Sequence, residues 1–555
     1  MKNLFLPIVI FVFAILLFRP ELYSQSNTQA FEIAKNLDIY ATLFKELNNN
    51  YVDEIQPGEL NTVALNAMLK TLDPYTIYIP ESKVEDMRYL TTGEYAGIGA
   101  GVIKRDGKVV IASIQKGSPA NEQGLMVGDE IKSIDNQDLN TKEDDEIELL
   151  LKGQPGTPTK LSILRYGSEV PIEKQVLRRK IDIDIIPYYG MLDSITGYIS
   201  LASFTKNAAS KTTKAFNDLK KENMKALIFD LRGNGGGLIG EAVDILNIFI
   251  DKDTEVVRIK SRVRDKNAIY RTRREAKDTQ IPLVVLVDKN SASASEIVSG
   301  AIQDLDRGIV LGERTFGKGL VQNVIPLSFN SQMKVTVAKY YIPSGRCIQA
   351  IDYSHKDSDG KAHLVNDSLL EAFYTNNGRI VYDGRGIKPD LLLSPKDYAE
   401  LTSNLIKQYL IFDFATEFSL KNDSILPSDQ FEITDQLWND FIDFVEENQF
   451  VYESELETKM EGMKKDLKTQ GLFEELEAVC QALEEKITAK KQLGFSEHKK
   501  EIQQLLKTDI ISRYYFDTGV IIANLNQDKA ISEALVLIND SGKYQQVLQA
   551  LNDSE

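Results

Sequence analysis

Three serines in five residues, Ser-Ala-Ser-Ala-Ser at 291–295, stand between an apolar run and a helix-like stretch. The run is Leu283-Val-Val-Leu-Val287 and the stretch is Glu296 to Gln303. A serine at such a strand-to-helix corner can act as a nucleophile if a base lies within reach and donors await the oxyanion. Twenty-five residues beyond Ser293 a lysine stands between two glycines, Gly317-Lys318-Gly319. The chain has 3 histidines. His355 and His363 lie in a polar stretch and His498 in a charged helical one, none beside an apolar strand end. A lysine can replace histidine when burial lowers its pKa toward the working pH. Phe316 and Leu320 supply apolar surroundings for Lys318. Gln322 could orient the amine on a turn, whereas on a straight strand the two residues would sit about 13 Å apart. The flanking glycines favour a turn. A plainer reading stands beside this one: Ser293-Ala-Ser-Glu296 fits a capping box, and a loop lysine is usually solvated.

A second candidate is the glycine run Asp230-Leu-Arg-Gly-Asn-Gly-Gly-Gly237, between a buried-strand pattern and a helix pattern. Amides freed by glycine at a helix start can hold an anion, either a phosphate or a transient oxyanion. Gly235, Gly237 and Gly240 also fit G-x-G-x-x-G. A dinucleotide site would place that unit near the start of a doubly wound domain, and would leave the serine and lysine unexplained. No P-loop pattern is present.

The elements that must position these residues form several regions. Residues 27–92 read as an N-terminal helical segment, with Phe31, Ala34, Leu37, Ala41 and Phe44 at helical spacing. Residues 93–178 alternate short apolar runs with glycine turns and read as a compact β-rich module. Residues 179–395 alternate strand and helix patterns, which predicts an α/β layer with mostly parallel strands. Within it, 350–382 is polar and reads as a loop-like insertion. Residues 397–555 are helical and highly charged, with Leu456, Met460, Met463 and Leu467 on one stripe. Glu455 to Lys507, which carries that stripe among mixed charges, reads as a solvent-facing helical domain or a partner surface.

Composition narrows the function classes. The formal net charge of −17 over 555 residues argues against nucleic acid, whose phosphates need clustered Lys and Arg. Cys347 and Cys480 are too few and too far apart for a disulfide framework or a zinc site. No metal and no cofactor are expected. Lys2, the apolar run Leu4 to Phe18 and the small residues Ser24 and Ser26 read as a secretory signal peptide over 1–24. Export is therefore expected, most simply to a periplasm, with membrane association the outcome if that segment is retained.

Together these segments resemble the carboxyl-terminal processing peptidases, or tail-specific proteases. The matching stretches are Gly197 to Phe204, Asp230 to Gly237, Val287 to Glu296, Gln303-Asp304, Arg307 and Gly312-Glu313, followed by Thr315 to Gln322, Ile342 to Arg346 and Gly386 to Asp390. The resemblance implies that Ser293 is the nucleophile, Lys318 its base and Gln322 the residue that orients the lysine. It also implies an oxyanion hole made by the backbone amides of Gly237 and Ala294. The fold it implies is multidomain α/β, with a ClpP/crotonase-like protease core and 93–178 as an inserted PDZ domain. Gly97-Ile98-Gly99-Ala100 would be the PDZ carboxylate loop, and the partners would be proteins or peptides with apolar C-terminal tails. A protein adaptor or activator could dock on the C-terminal helical region. The competing classes are a PDZ scaffold or tail-binding chaperone that does not cut, and a crotonase-like acyl-CoA enzyme that shares only the fold.

Overall fold

The computed structural model describes residues 21–84, 94–139, 142, 144–182, 184–394 and 397–549. Most of the segment read as a signal peptide lies outside these residues, and from Glu21 the chain is helical. Helices α1 (Glu21–Asn50) and α2 (Pro57–Lys70) open the chain, α2 with proline at its first turn. The N-terminal segment then does something its sequence pattern does not announce. Strand β1 (Ile77–Ile79) leaves the helices and joins a sheet of the core, Ile77 opposite Lys334.

The next module is built from β2 (Glu94–Gly97), β3 (Ala100–Arg105), β4 (Lys108–Ile114), α3 (Pro119–Glu122), β5 (Glu130–Ile134), β6 (Gln137–Asp138), α4 (Asp144–Leu151), β7 (Pro158–Leu164), β8 (Ile172–Leu177) and β9 (Arg179–Asp182). Its main sheet runs β3-β4-β5-β7-β8, with β6 on β5. Strand β3, which follows the Gly97–Ala100 loop, is therefore an edge strand.

The core carries β10 (Tyr188–Met191), β11 (Thr196–Ser200), α5 (Ala208–Lys221), β12 (Ala226–Asp230), α6 (Ile239–Leu246), β13 (Glu255–Lys260), β14 (Ala268–Arg271), β15 (Leu283–Val287), α7 (Ala294–Asp304) and β16 (Ile309–Gly312). The hairpin β17 (Leu320–Pro326) and β18 (Gln332–Tyr341) follows. One sheet runs β10-β11-β12-β15-β16-β23, where β23 is Leu391–Leu392. Only the β10–β11 pair is antiparallel, as the alternation of strand and helix patterns predicted. A second sheet runs β1-β18-β13-β14, with β17 on β18. The insertion is more ordered than its polarity suggested. It forms two hairpins, β19 (Ile351–Lys356) with β20 (Ala362–Leu364), and β21 (Ala372–Tyr374) with β22 (Ile380–Tyr382).

Period-two alternation sorts the central strands onto two faces. Leu227, Phe229, Leu283, Val285 and Val287 pack with α5, α6 and α7. Ile228, Val284 and Leu286 point the other way, onto the last helices of the chain. The C-terminal region consists of α8 (Glu400–Lys407), α9 (Leu410–Lys421), α10 (Asp435–Glu447), α11 (Glu455–Thr469), α12 (Phe473–Glu497), α13 (Lys499–Asn524), α14 (Lys529–Asn539) and α15 (Ser541–Gln549). Ala530, Ile531, Ala534, Leu537 and Ile538 of α14 form one helical stripe that covers the second sheet face. The Tyr544 hydroxyl locks α15 to the main chain of Leu283 at 2.9 and 3.0 Å. Helices α14 and α15 are thus a layer of the core. The stripe on α11 stays outside: Met460 is buried, while Leu456 and Met463 are exposed. Both cysteines are free thiols, and no cluster of metal-ligating side chains occurs among the described residues.

Candidate active site

The three serines of the 291–295 run have separate tasks. Ser291 is fully buried; its hydroxyl donates to Leu231 O at 2.8 Å and accepts from Asp288 N at 3.0 Å. Ser295 is equally buried and donates to Asn234 O at 2.7 Å. Both pin the corner to the glycine run. Ser293 is half-buried, with φ 56° and ψ −111°. Few non-glycine residues adopt that conformation, and holding it costs on the order of 1–3 kcal/mol. Ser293 is the N-cap of α7, so Ala294 offers one of the orphan amides at a helix start.

Glu296 joins the serine to the lysine. It is fully buried on the first turn of α7 and collects four donors. One carboxylate oxygen accepts from Ser293 N at 2.8 Å and Lys318 N at 2.9 Å. The other accepts from the Thr315 hydroxyl at 2.6 Å and Gly317 N at 2.7 Å. Burial pushes its pKa up, and the four donors oppose that by favouring the charged form. Tyr340 acts on the carbonyl side of the same two residues. Its buried hydroxyl lies 3.1 Å from Ser293 O and 2.8 Å from Lys318 O. The segments are also tied by Phe316 N donating to Ser291 O at 3.1 Å. Gly317 permits this path: its φ is 86°, and a Cβ there would lie 2.4 Å from Ala350 Cβ.

Lys318 is half-buried, and its Nζ sits 4.3 Å from the centroid of the Tyr75 ring. Burial first, then the like charge of Lys334, hold its pKa below the ordinary 10.5, with Glu296 and Asp73 pulling the other way. Among the described residues no hydrogen bond joins Lys318 Nζ to Ser293 Oγ. Gln322 does not stand on a turn as expected: β17 begins at Leu320, with a bulge between Val321 and Gln322. Its amide donates to the Thr336 hydroxyl at 3.4 Å, and among the described residues it makes no bond to Lys318. The bulge is the local irregularity that replaces the turn. Two of the three histidines are taken elsewhere, His355 by Asp352 at 2.7 Å and His363 by Asp357 at 2.6 Å, all on the β19–β20 hairpin or its turn, and His498 lies between α12 and α13.

The glycine run lies beside the serine. A Cβ on Gly236 would fall 2.7 Å from Ser293 Cβ and 2.9 Å from Ala294 N. Gly236 N already donates to Asn234 Oδ1 at 2.9 Å. Gly237 is held by a parallel bridge to Phe204, in which Leu238 N donates to Phe204 O and Phe204 N to Gly236 O. That pattern leaves the Gly237 amide on the opposite side. Among the described residues neither Gly237 N nor Ala294 N donates a hydrogen bond. Two such amides beside a strained serine can receive a developing oxyanion.

The Gly97–Ala100 loop lines a cavity that Ser293 does not. Ile98 is buried, its carbonyl accepting from Ala120 N, and Gly99 takes φ 77°. Ile98, Gly99 and Ala100 line a cavity of about 1370 Å³ that α4, Arg232 and the end of α13 enclose. Arg105 of β3 ties the module to the C-terminal helices, bonding Asp413 at 2.6 Å with its guanidinium 4.9 Å from the Tyr409 ring centroid.

Several contributors escaped the sequence reading. The S-x-x-E spacing marked Glu296 as a capping partner only. Asp73 and Tyr75 were passed over because residues 27–92 carried no chemical pattern. Tyr340 had no signal, since its role depends on where β18 crosses.

Comparison with known proteins bears on these sites. Residues 195–355 match peptidase family S41, residues 96–176 match a PDZ domain, and residues 401–538 match "Probable PDZ-protease, C-terminal helical domain". The last match covers a region for which the sequence reading found no motif. The chain is 33% identical over 356 residues to a carboxy-terminal-processing protease of Bartonella bacilliformis, covering 63% of this chain and 80% of that one. It is 32% identical over 317 residues to the carboxy-terminal processing protease CtpB of Bacillus subtilis, covering 57% and 66%. Among solved structures, a photosystem II D1 C-terminal processing protease is similar, at 26% identity and a TM-score of 0.38, over 64% of this chain and 92% of that one.

Proposed function

Because this chain belongs to the carboxy-terminal processing serine proteases of peptidase family S41 and carries a PDZ domain, we propose that it cleaves proteins with a Ser293–Lys318 dyad after recognising their C-terminal tails. The observation that carries the dyad is the single carboxylate of Glu296, which binds the amides of both Ser293 and Lys318. In this reading the neutral form of Lys318, which burial favours over the charged one, takes the Ser293 proton as Oγ attacks the scissile carbonyl. The Gly237 and Ala294 amides hold the oxyanion. Lys318 returns the proton to the leaving amine, and water hydrolyses the acyl-enzyme. Gln322 reaches the amine only if it gives up Thr336. A substrate tail would add as a strand to the outer edge of β3, with its carboxylate in the Gly97–Ala100 loop. The parallel sheet and its crossover helices support a ClpP/crotonase-like core. The apolar N-terminal run supports export, to a periplasm in the simplest case. The exposed residues of α11 offer a surface for an adaptor.

The test pairs an unfolded substrate ending in a free apolar carboxylate with its amidated copy. Ser293→Ala and Lys318→Ala should each lower kcat/KM by about a thousandfold or more, and the amidated copy should be cut more slowly. Cleavage that survives both substitutions removes the dyad. Equal cleavage of the two substrates removes tail recognition. Tail binding without cleavage by the unaltered protein favours the scaffold.

A further inference from the structure

Tyr75 is held in place from three sides. Asp73 Oδ1 accepts from the amides of Tyr75 and Thr76, both at 2.8 Å, and Asp73 Oδ2 accepts from the Thr76 hydroxyl at 3.0 Å. Thr76 Oγ1 also accepts from Thr336 N at 3.2 Å, fastening the turn to β18, where Ile77 pairs with Lys334. On its outer edge the ring meets Tyr353 of β19 at 89°, centroids 6.1 Å apart. What this clamp presents to the active site is an aromatic face, 4.3 Å from Lys318 Nζ.

We propose that Tyr75 is a positioning residue for Lys318: its ring face seats the amine and keeps water from it, so that the N-terminal segment completes the surroundings of the base. This rests on the Ser-Lys reading above. A carboxylate in the same place would hold the lysine as a permanent cation. A ring face attracts an ammonium through its quadrupole yet offers no lone pair for its proton. It therefore fixes where the amine sits without taking the proton it must exchange. The charged and titratable groups around Lys318 come from every neighbouring element. Lys334 of β18 repels it, Glu296 of α7 and Asp73 of the turn attract it, and the Tyr340 hydroxyl bonds its carbonyl. A merely space-filling residue at 75 could be any apolar side chain of similar volume, which makes the two roles separable.

The experiment uses the full chain with Tyr75→Leu, Tyr75→Phe, Ser293→Ala and Lys318→Ala. The readouts are the pH profile of kcat/KM on a peptide with an apolar tail, and the pH profile of Ser293 labelling by a fluorophosphonate. Tyr75→Leu is expected to lower kcat about tenfold with KM within about twofold. Its acid limb should move down by about half a pH unit, because the lost ring face had favoured the cation. Tyr75→Phe, which keeps the face, is expected to rescue both. The assignment is overturned if Tyr75→Leu leaves kcat and the limb in place, if kcat falls while the limb stays or rises, or if Tyr75→Phe fails as Tyr75→Leu does. Should Tyr75→Leu not fold, as judged by its melting curve, Tyr75→Met repeats the comparison. Lys318→Ala that still cleaves or labels removes the dyad itself. An inactive Lys318→Ala beside an unaffected Tyr75→Leu removes only the role of Tyr75.

Discussion

The two ends of helix α7 are built on opposite plans. At its start Ser293 holds a strained backbone, and among the described residues two neighbouring amides, of Gly237 and Ala294, stay unbonded. At its end the polar groups close on one another. Arg346 donates to Asp304 at 2.7 Å and to Gln303 at 2.8 Å, with both charged side chains almost wholly buried. Arg379 pairs with Asp306 at 2.7 Å and Asp390 at 2.5 Å, and Gln303 donates to Asp390 at 2.8 Å. Gln303-Asp304, Arg346 and Asp390 belong to the same set of family-like stretches as Ser293 and Lys318, yet they lie at the far end of the helix. On the proposed function, motif residues divide into those that must stay partly unsatisfied to react and those that hold them in place. Glu296 shares both plans, being buried and hydrogen-bonded like the far end but placed beside Ser293.

Three substitutions probe that contrast. The largest effect on stability is expected from Arg346→Met, which strands Asp304 as a buried charge and should cost about 3–5 kcal/mol. Chemical denaturation would measure it, and a loss below about 1 kcal/mol would mean that the far end is not the anchor. Glu296→Gln should act on both properties at once. The amide presents an N–H group to donors that had faced a carboxylate, costing about 1–3 kcal/mol. Displacing the serine and lysine segments should also lower kcat/KM about a hundredfold. An unchanged kcat/KM would detach Glu296 from the chemistry. The smallest change is opposite in sign: Ser293→Gly, inactive, should gain about 1 kcal/mol by relieving the positive φ. A melting temperature lower than that of the unaltered protein would show that the serine is not strained.

Lys318 also leaves a signature in the pH dependence of stability. Its folded pKa is depressed below 10.5, so between the folded and unfolded values the unfolded chain binds more protons. Its contribution therefore rises with pH through that window and is an unfavourable one below it.

Much of the fold was legible because it rests on local periodicity. The parallel strands at 226–230 and 283–287, the helix after the serine run and the β-rich module all follow patterns of two or 3.6 residues. Ser293, Lys318 and the glycine run were legible as residue types at telling corners. The ordered motifs single out Ser293 from Ser291 and Ser295, and burial gives the physical reason: the two outer hydroxyls are spent on the main chain of the glycine run. The bend expected at Gln322 became a bulge in β17, because pairing with β18 outweighed the preference of its glycine neighbours for a turn.

The sequence by itself determined the main core elements, the family and the candidate nucleophile and base, since each depends on residues close together in the chain or in a recognisable order. The tertiary structure decided what joins them. Glu296 and Tyr340 tie together residues 25 positions apart, 293 and 318, the Asp73–Ile79 segment brings Tyr75 to the lysine, and α14 becomes the second cover of the sheet. These are contacts between distant segments, set by strand order and packing, and no local pattern of side chains encodes them.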